Sequence, residues 1–158
     1  MSIRSLALIL IGVATMFSAM GDNPPSPRVS TFPPVGLGAT ETAEISVVNL
    51  AANSTNGTAA SCTGSISFVN SNGATIGSAT PFTVAAGHIF SVRLAFASSG
   101  GAAPRTEIRG AVQVNSSTGN PRPPCSAQFS METYDTSTGA THTLQNTSVA
   151  EPGPGFRN

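Results

Sequence analysis

From Ala43 onward the chain is written in short runs with a two-residue hydrophobic period, separated by clusters of Gly, Asn, Ser and Pro. Alternation of that kind sends successive side chains to opposite faces of an extended backbone, so it predicts half-buried strands and no helices. Ala43 to Leu50 (AEISVVNL) is rich in β-branched residues but mixed in phase, which predicts a strand buried on both faces or broken by a bulge. Asn53 to Thr58 (NSTNGT) reads as a turn. Ala59 to Asn70 reads as the next strand and ends at Asn70-Ser71-Asn72-Gly73, where Asn-Gly favours the primed turn of a tight hairpin. Thr75 to Ala79 and Pro81 to Ala85 predict two further short strands, with Ala86-Gly87 as a turn. In His88 to Ala97, Phe90, Val92, Leu94 and Phe96 fall on one side and Ser91, Arg93 and Ala95 on the other, the pattern of a central strand with one wet face.

Ser98 to Pro104 (SSGGAAP) is a loop by composition. Arg105 to Asn115 alternates again, with Ile108, Gly110, Val112 and Val114 inward and Glu107, Arg109 and Gln113 outward, where Glu107 and Arg109 are placed to pair across strands. Ser116 to Pro124 is a long loop leading into a strand that starts at Cys125; Asp135 to Gly139 is a turn, and Ala140 to Asn146 (ATHTLQN) the last strand. Seven or eight short strands at this spacing predict an all-β, immunoglobulin-like antiparallel β-sandwich. With no tryptophan in the chain, Phe68, Phe90, Phe96 and Phe129 are the expected fillers of its core.

The two cysteines fit that architecture. Cys62 shares a strand face with Ile66 and Phe68, and Cys125 shares one with Ala127, Phe129 and Met131. Both sulfurs start on the buried side of their strands, as a bridge between two packed sheets requires. A metal site is the competing use of two cysteines, but no CxxC and no histidine at ligand spacing accompanies them.

The ends of the chain read differently. Residues 1–21 predict an export signal: Arg4 is a positive start, Leu6 to Phe17 an apolar run, and Ala19 and Gly21 small residues at the −3 and −1 positions of a cleavage site. The run is shorter than the roughly 20 apolar residues a membrane span needs. Residues 22–38 hold Pro24, Pro25, Pro27, Pro33 and Pro34 and predict a linker or an edge strand. The sandwich is assigned to residues 39–148, and residues 149–158 to a disordered tail.

Charge narrows the partners. Only 9% of residues are charged, all seven basic residues are arginine, and seven acids bring the formal net charge to zero. Such a chain lacks the basic footprint that holds a phosphate backbone, so nucleic acid is not an expected partner, and neither is a membrane once the signal is removed. A secreted or periplasmic location is expected from the signal and the disulfide.

Reactive constellations are sparse. There is no GxSxG elbow, no lysine and no HExxH zinc helix. Asp135 in Asp135-Thr136-Ser137-Thr138-Gly139 reads as an Asx turn, with a one-carboxylate calcium site as the alternative. His88 and His142 are the only imidazoles and read as solvated or hydrogen-bonded, with joint metal or acid/base work as the alternative. Glu107 with Glu132 is the one carboxylate pair considered for glycoside hydrolysis, and both are expected on outer strand faces. Tyr134, the only tyrosine, is outward by phase and, with Asp135, the weak candidate for ligand contact. Asn-x-Ser/Thr sequons begin at Asn53, Asn56, Asn115 and Asn146. No catalytic residue, metal or cofactor is therefore expected.

Several of these segments together resemble a group of uncharacterised secreted bacterial proteins with immunoglobulin-like sandwich domains. The residues carrying the resemblance are Glu44-Ile45-Ser46-Val47-Val48-Asn49, Cys62 with Ser67-Phe68 before the Asn-Gly hairpin, Thr106-Glu107-Ile108-Arg109-Gly110, and Cys125 followed by Glu132-Thr133-Tyr134-Asp135 and Thr138-Gly139-Ala140-Thr141. It covers roughly residues 40 to 145 and implies the fold without any activity. The expected function is a non-catalytic structural or interaction module of the cell envelope or extracellular space, its partner another protein or a surface glycan. Two alternatives stand beside it: a pilus-like or adhesin subunit that donates Val29 to Gly38 to a neighbour's sheet, and a glycan- or calcium-binding module.

Overall fold

Alternating apolar positions can be buried only if strands pair and two sheets close over one another, and the described residues do this. The computed structural model describes residues 27–50, 61–102, 104–115 and 125–150. The expected export signal, the expected turn at 53–58 with its two sequons, the expected loop at 116–124 and residues 151–158 lie outside the described residues. In chain order the strands are β1 (Arg28–Thr31), β2 (Val35–Gly38), β3 (Glu41–Asn49), β4 (Cys62–Asn70), β5 (Thr75–Val84), β6 (Ile89–Ala95), β7 (Arg105–Val114), β8 (Ser126–Asp135) and β9 (Thr141–Ala150), with a single 3-10 turn at Phe96–Ser98. All pairings are antiparallel. One sheet runs β1-β7-β4-β5 with β2 also on β7, and the other runs β6-β3-β8-β9.

The inner faces of both sheets build one core. Leu37, Ile66, Ile108 and Val112 come from the five-stranded sheet and Ile45, Val47, Phe129 and Met131 from the four-stranded one, all of them buried. Cys62 opens β4 and Cys125 lies one residue before β8, so their bond ties one sheet to the other, with a Cα–Cα distance of 5.3 Å. Gly110 on β7 is required by this closeness: a Cβ there would come within 2.5 Å of the Ile45 Cδ1 of the facing sheet and 2.9 Å of the Phe32 ring. Phe68 and Phe129 are buried as expected, whereas Phe90 and Phe96 are half-buried against the core. Phe32 and Phe82 take the remaining aromatic share of the interior.

Four local expectations are corrected. Among the described residues the strands number nine, because residues 28–38 form β1 and β2, both on β7, which is the edge-strand reading of this segment rather than the linker; Val35 and Leu37 are core residues. Thr75 to Ala79 and Pro81 to Ala85 are one strand, β5, bent where the pairing shifts between Ile66 and Phe68 and where Gly77 takes φ +69°. As the outer strand of its sheet, β5 has room for Pro81. β6 keeps the expected facing but is an edge strand, not a central one. The hairpin at Asn70 to Gly73 is not a primed turn, since that would need positive φ at Asn72 and only glycines have it among the described residues. Instead Gly73 alone is left-handed (φ +83°), its N–H donates to the Asn70 carbonyl at 3.0 Å, and the Asn70 Oδ1 accepts from the backbone N–H of Asn72 and Ala74.

Candidate functional site: the outer face of the four-stranded sheet

Pairing in β6-β3-β8-β9 arranges the outward side chains in rows, because residues opposite one another share a face. The first row is Ala95, Thr42, Tyr134 and Thr141; the second is Arg93, Glu44, Glu132 and Leu144; the third is Ser91, Ser46, Ser130 and Asn146. Half of these twelve side chains carry hydroxyls, and the charge lies in one row.

That charged row is held in place. Arg93 Nε donates to Glu44 Oε2 at 2.6 Å, and the Glu44 side chain is only 11% exposed although it lies on the outer face. Glu132 stands directly across from Glu44, and Thr141 Oγ1 donates to its Oε2 at 3.3 Å. The hydrogen bond and the charge of Glu44 push the Arg93 guanidinium above its ordinary value, with Tyr134 and Glu132 adding to the effect. One row away, Ser46 Oγ and Ser91 Oγ are 2.7 Å apart and hydrogen-bonded. Beyond them the face dips into a hollow of about 210 Å³ lined by Val48, Ile89, Gln128, Ser130 and Asn146.

The residues singled out from the sequence fall in three places. Tyr134 is on this face, half-buried, between Thr42 and Thr141. Asp135, next to it, is committed to the turn: its Oδ1 accepts from the backbone N–H and the hydroxyl of both Ser137 and Thr138, and its Oδ2 from Thr40 Oγ1 at 3.1 Å. These bonds, the Ser137 hydroxyl foremost, hold its carboxyl far below the usual carboxylate range. One oxygen already taking four donors has little left for a calcium ion, and among the described residues no three His, Cys, Asp or Glu side chains are grouped to hold a metal.

His88 and His142 are brought to opposite ends of the domain. The His88 carbonyl accepts from the Asn49 N–H at the end of β3, whereas His142 contacts the carboxylate of Glu41 at its start. Eight residue steps of strand, about 26 Å, separate those ends, so the two imidazoles share no site. The Glu41 carboxyl is lowered mainly by the N–H of Gly38, which donates to its Oε2 at 2.6 Å, and then by His142. Glu107 and Glu132 are on the outer faces of different sheets, with the core between them, and cannot flank one bond. Glu107 and Arg109 do not pair; they line a hollow of about 420 Å³ beside Pro34 and the Asn70 hairpin, on the other sheet. Asn115 and Asn146 are exposed.

Sequence reasoning missed Glu44 as the centre of this face. Its signal was the mixed phase of AEISVVNL: Thr42 and Glu44 are buried on the outer face, Thr42 beneath the Thr136 hydroxyl 3.0 Å away and Glu44 beside Arg93.

The Asp135 turn supplies a pH test. Because its folded pKa is depressed, the stability it contributes is complete above the unfolded value of about 4 and is lost as pH falls through the folded one. Asp135→Ala is expected to lower the urea midpoint at pH 7 and to flatten its decline below pH 4; an unchanged acid slope in the variant would refute this role.

The fold and the bridge define a class: an all-β protein of two antiparallel sheets, closed by one disulfide. Compared with protein-family models, curated proteins and solved structures, the chain finds no match. Among the described residues no helix is long and apolar enough to cross a membrane.

Proposed function

We propose that the chain is an exported, non-catalytic interaction module whose recognition surface is the outer face of β6-β3-β8-β9. The observation that carries this reading is the pre-positioned polar face itself: a carboxylate fixed by Arg93, a second carboxylate beside it, and rows of hydroxyls held by strand pairing. Ordered donors and acceptors lower the cost of binding, because little side-chain freedom remains to be lost. The same groups are poorly disposed for catalysis, since the carboxylates are paired or solvated and the imidazoles lie far away. An immunoglobulin-like sandwich architecture is the finer reading of the fold, supported by two antiparallel sheets bridged through opposing strands. Export is supported by the leader pattern and the disulfide.

The pilus-like alternative receives no support from β1 and β2, which pair with β7 of their own chain. A glycan is the surface ligand most consistent with hydroxyl rows beside a single aromatic ring, Tyr134.

The test measures binding of the purified protein to a glycan array and to the envelope fraction of the producing cell. Ser130→Arg, placed at the centre of the face, is expected to weaken the interaction at least tenfold while leaving the thermal midpoint in place. Equal binding by that variant, or hydrolysis of any sugar, ester or peptide at enzymatic rates, would overturn the reading.

A further inference from the structure

A strand at the margin of a sheet leaves a row of N–H and C=O groups without partners, and proteins guard such margins with proline, glycine bulges, charge or brevity. Three of the four margins here are guarded. β5 contains Pro81 and bends at Gly77. β1 and β2 have four residues each and are separated by Pro33-Pro34. β6 has seven residues and carries Arg93, its side chain 69% exposed.

β9 has none of these devices. It runs for ten residues (THTLQNTSVA) without Pro, Gly, Asp, Glu, Lys or Arg. Its one ionisable group, His142, is engaged with Glu41 at the first turn of the strand. Its outward Leu144 is 60% exposed, and among the described residues no strand pairs with the side of β9 that faces away from β8.

We infer that β9 pairs edge to edge with β9 of a second copy of this chain, antiparallel and about a two-fold axis, joining two four-stranded sheets into one of eight. The occupant follows from charge. A strand set against itself brings each of its charges close to a like charge, so self-pairing is favoured on an edge that carries none. The formal net charge of the whole chain is zero, and loss of the leader with Arg4 leaves about −1, so long-range repulsion between copies is small as well. A register centred on Gln145 sets Leu144 beside Asn146 and Thr143 beside Thr147, with no like charges opposed. Ten residues span about 33 Å, and with a sheet about 10 Å thick the contact covers roughly 330 Å² per copy, well under the ~800 Å² of a stable complex. The dimer is accordingly weak and reversible, with a dissociation constant on the order of 100 μM.

Sedimentation of the protein, purified after export with its own leader, tests this between about 10 μM and 1 mM, a range chosen to bracket that constant. The mass is expected to rise from one chain toward two. Leu144→Lys with Asn146→Lys is expected to raise the dissociation constant at least tenfold, and Ile89→Lys on β6 to leave it unchanged. Hydrogen exchange on the unaltered protein reads the same contact without a variant: amides of β9 slow with concentration while those of β6 do not. A monomer across the whole range, a dimer indifferent to the β9 substitutions, or protection that appears on β5 or β6 would each overturn the inference.

Discussion

Replacing Cys62 and Cys125 together by alanine is expected to lower the free energy of unfolding by about 4 kcal/mol, the loop-closure entropy returned to an unfolded chain when a cross-link 63 residues apart is removed. For a domain of this size that loss is a drop of roughly 15 °C in the thermal midpoint. The bridge joins the two sheets at the margin of the core, with Cys62 fully buried and Cys125 nearly so. Reductant therefore reaches the sulfurs through opening of the fold, and reduction of the native protein should be slow and limited by that opening. Urea curves of the oxidised protein and the double variant measure the difference, and the variant should also show a larger m-value because its unfolded state is less constrained. A loss under about 1 kcal/mol would mean that the uncross-linked chain retains the loop in its unfolded state, and the entropic account of this bridge would be wrong.

What the sequence revealed follows from how local each signal is. Facing is local: in β7 the alternation of Ile108, Val112 and Val114 with Glu107, Arg109 and Gln113 is enough to assign the inner face, and the structure buries the first set. The same logic put both cysteines inward. Position within a sheet is not local. β6 has the clean alternation of a half-buried strand whether it is central or marginal, and only its pairing with β3 alone makes it an edge. The candidate face was hidden for a related reason. Glu44 acquires meaning from Arg93, 49 residues later, and from Glu132 on β8, neighbours that no window around residue 44 contains. At Asn72-Gly73 the dipeptide signal was right about a turn and wrong about its type, because the extra residue Ser71 lets Gly73 alone take the left-handed conformation.

The segment before Glu41 is where composition left two readings open, a linker or an edge strand, and the structure shows the second. Proline allowed either, and the glycines of Val35-Gly36-Leu37-Gly38 thinned the apolar signal to two side chains. Those two are enough: β2 pairs with Arg105 to Ile108 of β7, and Leu37 is among the fully buried side chains of the protein. Leu37→Ala is therefore expected to cost about 3 kcal/mol, the lost transfer energy of the side chain plus the cavity it leaves. Val29→Ala is the internal control: Val29 is on β1, also in the proline-rich segment, but 60% exposed and outward, so its loss should stay within about 0.5 kcal/mol. A true linker would make both changes equally silent. The concentration dependence of the Leu37 variant separates the two remaining possibilities. Below about 10 μM, where the inferred β9 contact is not populated, the loss is independent of protein concentration if β2 completes the sheet of its own chain; if it completes a neighbour's, the unfolding midpoint of both proteins must rise with concentration by mass action even there. Pairing of β2 with β7 within one chain calls for the first outcome, and a midpoint that tracked concentration at every position of the segment would remove β1 and β2 from this sheet altogether.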